Sequence, residues 1–159
     1  MWFFMNTCYF LSLLTFVLFI TTGIQGYFRF SVFHSNHATF ALLFTIIYLF
    51  TQSLIIFFFV GTGVSVRDYT KANHLPAQFH QQSIGIKRRV YPPLLLNMLL
   101  VMILFISGGA LDTGRVPTWF HSLLFYTAFF HFILVLLREH RAFQENTDII
   151  LQMSGVKRK

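Results

Sequence analysis

The sequence predicts an all-α protein, a four-span antiparallel transmembrane helix bundle, and three observations carry that prediction. Four long apolar runs, 6–23, 38–63, 91–109 and 116–137, fill most of the 159 residues. Each is near or above the roughly 20 residues that a helix rising ~1.5 Å per residue needs to cross hydrocarbon. Hydrophobic residues make up 55% of the chain and charged ones 11%, whereas a soluble domain carries about 25% charged residues. Lys and Arg also alternate between dense and sparse from one connection to the next, the pattern that orients membrane hairpins.

The first run, 6–23, reads as a retained span. No Lys or Arg precedes Arg29, so the basic start of a cleaved signal peptide is missing, although Thr21-Thr22-Gly23 has the small residues of a cleavage site. The second run, 38–63, follows Ser35 and Asn36, which suit N-capping, and Gly61 and Gly63 mark its far end. Residues 64–90 read as a connection with Tyr69, His74, Leu75, Phe79 and Ile84 among polar residues and breaks at Pro76 and Gly85. That composition predicts a short interfacial helix against headgroups. Pro92 and Pro93 suit the first turn of the third span, where a missing amide costs nothing, and Gly108-Gly109 ends it. Pro117 starts the fourth span in the same way, and its helix is expected to continue as a C-terminal segment over 138–159.

Short connections leave no room for a separate soluble unit, so 1–159 reads as one integral-membrane domain. The 64–90 connection carries Arg67, Lys71, Lys87, Arg88 and Arg89, and the tail carries Arg138, Arg141, Lys157, Arg158 and Lys159. The other two connections hold only Arg29 and Arg115. Positive charge therefore predicts both termini in the cytoplasm, in a bacterial-type inner membrane, with anionic headgroups as partners on that face. Lipid orientation accounts for the formal charge of +7, so no nucleic acid is expected. A 159-residue bundle of this kind is expected to work with other membrane subunits or as a homo-oligomer.

Several chemistries lack their residues. The single Cys8 sits in an apolar run, which excludes an intrachain disulfide and iron–sulfur ligation. No Gly-x-Ser-x-Gly or phosphate-binding loop occurs, and Gly61-Thr62-Gly63 is followed by Val64 and Ser65. Asp68, Asp112, Glu139, Glu145 and Asp148 all fall at or beyond the span edges, so active ion transport is not expected. No catalytic residue is assigned, and an enzyme acting on its own is not the reading.

What remains is polar groups inside the spans. With a turn of about 100° per residue, His37, Phe44, Tyr48, Thr51, Ile55 and Thr62 share one face of the second span, which should point inward because lipid cannot satisfy a hydroxyl or the Gln52 amide. The bland use of such a stripe is interhelical hydrogen bonding. The functional one is a quinone pocket near Tyr48 and His131, the predicted pair at mid-membrane. Leu42, Leu43, Ile46, Phe50 and Phe57 suit lipid contact.

The seven histidines separate by depth. His34 and His37 stand at the outer entrance of the second span, and His121 lies within about 6 Å of His37 in depth on the fourth. His37 and His121 therefore form the pair suited to haem b, with Ala38, Ala41, Gly108, Gly109 and Ala110 leaving space. Phe40, Phe44, Trp119, Phe120 and Phe125 would wall the macrocycle, and Arg29 and Arg115 would pair with its propionates. A competing external metal site would use His34, His37, His121 and Asp112. The plainest alternative is a structural or assembly subunit without a cofactor. His74, His80 and His140 fall on the solvated cytoplasmic side, and no motif assigns a family.

Overall fold

The computed structural model describes residues 2–28, 30–32 and 34–155. Arg29, Lys157, Arg158 and Lys159, which entered the charge and propionate arguments, lie outside them. Four helices follow one another: α1 Trp2–Phe28, α2 His37–Ala72, α3 Gln78–Asp112 and α4 Thr118–Met153. All four are long and apolar enough to cross a membrane. The protein is an all-α four-helix bundle with the composition of a small integral membrane protein.

One spacing rule builds it. The buried residues of α1 are Met5, Cys8, Ser12, Thr15, Phe19, Thr22 and Gln25, a succession of steps of three and four that keeps a single seam turned toward the neighbours. In α3 the same succession runs through Ser83, Ile86, Val90, Leu94, Asn97, Val101 and Leu104, and in α4 through Ala128, Phe132, Val135, Glu139, Ala142 and Asn146. The outward faces carry Phe10, Leu43, Phe50, Leu99, Ile106, Phe130 and Leu134, all exposed. Large apolar side chains on an outer surface are what a lipid solvent calls for.

This seam explains where the elements exceed the sequence reading. The segment 64–90 is not a loop with an interfacial helix, because α2 runs on to Ala72 and α3 starts at Gln78. Only the short turn between them remains. Pro92 and Pro93 accordingly sit inside α3 rather than in its first turn. The helix survives them because the buried residues Ser83, Ile86 and Val90 precede the prolines and keep the pitch that Leu94 and Asn97 continue after them. Gly61 and Gly63 likewise do not end α2. A Cβ on Gly63 would meet the Lys87 ammonium and the Ser83 hydroxyl of α3, so that glycine lets α3 pack close. Gly108 and Gly109 lie within α3, which ends at Asp112. Asn36 caps α2 as expected, its side chain accepting from the Thr39 amide at 2.9 Å, and Pro117 precedes α4.

Helix α3 packs most extensively on α4 and then on α2, and α1 packs on α2. Backbones of α1 and α4 stay farther apart, and rings fill that seam. Phe19 lies with its centroid 4.6 Å from Phe44, 5.5 Å from Phe125, 5.4 Å from Phe129 and 5.8 Å from Phe132. Nearer the chain termini Phe143 repeats the arrangement with Tyr9, Phe58 and Phe59.

A polar chain crosses the middle of the bundle. The Tyr48 hydroxyl donates to Asn97 Oδ1 at 2.5 Å, and Asn97 Nδ2 donates to the Ala128 carbonyl at 3.0 Å, tying α2, α3 and α4 together. Tyr48, Asn97 and Ala128 are each wholly buried. Asn97→Leu leaves the Tyr48 hydroxyl with no partner in an apolar layer, a loss of about 2 kcal/mol. Thermal unfolding in detergent should show that loss, and Tyr48→Phe added to Asn97→Leu should recover part of it, since the orphaned hydroxyl then disappears.

Candidate functional site: the cavity at the end carrying the two short connections

The connections after α1 and α3 lie at one end of the bundle, and a large open cavity lies there. It measures about 1780 Å³ and takes residues from all four helices, among them Phe19, Gln25, His37, Phe44, Asp112, His121, Phe125 and Phe129. Its size exceeds the roughly 300–1,000 Å³ of most small-molecule pockets. Two glycines of α1 help to shape it. A Cβ on Gly23 would lie 2.2 Å from Phe125 Cζ, and one on Gly26 would lie 2.9 Å from His37 Cε1. Each glycine therefore admits a ring that any side chain would displace.

His37 and His121 line this cavity together. They are close enough for charge on one to act on the other, and the Asp112 carboxylate acts on both. His121 is oriented by a short relay. The Ser107 hydroxyl donates to the Leu104 carbonyl at 2.7 Å, and its oxygen stands 2.8 Å from His121 Nδ1. With the hydroxyl proton on Leu104, Ser107 accepts from His121, and the ring is then in the tautomer with hydrogen on Nδ1 and a lone pair on Nε2. A ring held through one nitrogen with the other free is how proteins orient imidazole ligands. Gly108 makes room for that ring, its Cβ position lying 3.3 Å from His121 Cε1. His37 differs, because its buried Nδ1 has no protein partner.

The other predicted residues fare less evenly. His34 lines the cavity but is exposed, on a left-handed backbone with φ of 61°. Among the described residues no three His, Cys, Asp or Glu side chains are placed to hold a metal ion. The set His34, His37, His121 and Asp112 is thus not assembled among the described residues, and its member His34 is an exposed residue of the connection ahead of α2. Arg115 is exposed at the same end of the bundle. The expected pairing of Tyr48 with His131 does not form. Tyr48 is committed to Asn97 and its ring meets Phe132 at 5.3 Å, the residue after His131. The buried Nδ1 of His131 has no partner.

Sequence reasoning also missed residues that matter here. Ser107 gave no signal beyond its place on the α3 seam. Gln25 is wholly buried at the rim, where its amide donates to the Ser35 carbonyl at 2.9 Å and fastens the first connection. Glu139, expected at or beyond a membrane edge, is enclosed by the bundle with 2% exposure. Comparison with protein-family models, curated proteins and solved structures finds no match to this chain.

Proposed function

We propose that the protein is a small membrane redox subunit that holds haem b in the cavity between His37 and His121. The observation that carries this reading is the Leu104–Ser107–His121 relay, which presents a lone pair at Nε2 beside a second imidazole. Phe19, Phe44, Phe125 and Phe129 supply apolar walls, and Arg115 stands at the end where propionates would emerge. Bound there, haem would supply one-electron chemistry, and electrons would come from and pass to partner subunits.

The orientation that goes with this places the cavity on the outer face of a bacterial inner membrane. Arg67, Lys71, Arg88, Arg89, Arg138 and Arg141 are exposed toward the opposite end, against Arg115 at the cavity end, and the bias of positive charge toward the cytoplasm supports that placement. A second reading, a structural or assembly subunit without a cofactor, is favoured by the Tyr48–Asn97–Ala128 chain, which specifies helix register without needing a ligand. A quinone near Tyr48 loses ground because that hydroxyl is already spent.

Visible spectroscopy separates the readings. Protein purified in detergent after expression with ample haem should show a Soret band that sharpens on dithionite reduction. A colourless protein that also fails to take up added haemin would sink the redox reading and leave the structural one.

A further inference from the structure

A second polar site lies deeper in the bundle, about 27 Å along α4 from His121 at ~1.5 Å per residue. Glu139 projects from α4 and Gln52 from α2, and both are buried, at 2% and 0% exposure. Gln52 is near enough to act on the Glu139 carboxyl as a hydrogen-bonding neighbour, yet neither carboxyl oxygen and neither amide atom of Gln52 has a partner of good geometry. Two turns farther along α4, the buried Asn146 leaves its Nδ2 unpartnered as well. On α4 the buried Val135, Ala142 and Phe143 flank Glu139, and they belong with Cys8, Ile55 and Leu94 to one buried apolar cluster.

Orphaned polar atoms this deep are costly, and proteins that keep them satisfy them with something. Among the described residues the ion pairs are Arg67 with Asp68 and Arg89 with Glu145, so no cation offsets Glu139. The titratable groups its charge reaches are Cys8 on α1 and Tyr48 on α2. On α3 the buried members of that cluster are Ile86, Val90 and Leu94, which do not ionise, and the partly buried Tyr91 packed against it donates its hydroxyl to the Ile56 carbonyl at 3.3 Å. An ionised carboxylate alone in such a place is far more costly than a neutral acid.

The identity of the missing partner follows from the mixture of groups. A bound metal ion needs oxygen ligands on most sides, six or more for calcium, and here the orphans include two amide donors that would repel it. Water both donates and accepts, and it settles where two to four polar partners converge. We propose that Glu139, Gln52 and internal water form a proton-binding site, independent of whether the outer cavity holds haem. Glu139 carries the proton as a carboxylic acid and releases it, by breaking the O–H bond, to water. Exchange runs toward the end of the bundle holding the chain termini. On that side Asn146 lies on the same face of α4, and Glu145, about 9 Å on from Glu139 along the helix, meets Arg89 in solvent.

Infrared difference spectroscopy of the full chain in lipid, recorded over a pH series in H2O and D2O, tests this without reference to any pigment. The wild type should show the carbonyl stretch of a protonated carboxylic acid that moves down in D2O and gives way to carboxylate bands as pH rises. E139Q should lose that band while folding normally, and E139D should keep it at a shifted frequency. If no protonated-acid band depends on position 139 at any pH, the proposal is wrong. An E139D band identical to the wild-type one overturns it too, as does stabilisation by sodium or potassium ions that E139Q abolishes, because a metal cation would then occupy the site.

Discussion

His121→Ala is expected to abolish the Soret band of the haem-loaded protein, and Ser107→Ala to weaken haem retention roughly 10- to 100-fold while leaving the band in place. The difference follows from the relay. Removing His121 deletes the imidazole that the relay would hold with Nε2 free, whereas removing Ser107 leaves the proposed ligand but frees its ring to rotate and to change tautomer. His37→Ala should behave differently from both, giving a five-coordinate spectrum, because the ligand that stays is the one the protein orients. Haemin titration of the three variants, read in the visible region, checks the order. Loss of the Ser107 effect with His121 still required would mean that the serine only satisfies its helix. Retention of the band in His121→Ala would move the site elsewhere.

How far the residues alone lead to this site depends on what kind of force places each group. Hydrocarbon imposes long apolar segments, so all four helices and the placing of His37 and His121 at one end, where both line the same cavity, can be read from run lengths and from a rise of ~1.5 Å per residue. The inward face of α2 follows from its period: Phe44, Tyr48, Thr51 and Ile55 are buried, as is Gln52 beside them, while His37 and Thr62 at its two ends are half-buried. Helix ends are another matter. Gly61, Gly63, Pro92 and Pro93 carry local preferences for breaking a helix, and a continuous buried seam through Val66 on α2 and Ile86 and Val90 on α3 overrides them. Nothing in hydropathy marks that seam, because it mixes small and polar residues such as Gly63, Thr70 and Ser83 with the apolar ones.

Partner choice was the least legible. Tyr48 takes Asn97 rather than His131 because α3 lies between α2 and α4 around the bundle and brings the amide to the hydroxyl. Depth matching gives which groups share a layer but not which helices are adjacent in it. The burial of Glu139 is illegible for a related reason. Its charge gives no sign of the inward direction that its position between Val135 and Ala142 on the buried stripe of α4 fixes.

The same ring-filled seam sets the largest expected loss of stability. Phe19 is wholly buried and meets four phenylalanines, three of them on α4. In a soluble core, Phe→Ala costs about 3–5 kcal/mol, part of it transfer of the side chain from water and part the cavity left behind. Lipid tails are as apolar as the core, so in a bilayer the transfer part largely cancels and packing dominates. We therefore expect Phe19→Ala to cost about 2–3 kcal/mol, concentrated at the α1–α4 contact, where backbones are too far apart to compensate. Cys8 reports on this directly, being the single cysteine and wholly buried on the same face of α1. If labelling requires α1 to detach, its alkylation should accelerate about 30- to 140-fold, at 1.4 kcal/mol per tenfold. Phe10→Ala, on the exposed face, should leave the rate unchanged, and equal acceleration by both variants would mean that the rings do not hold α1 in place.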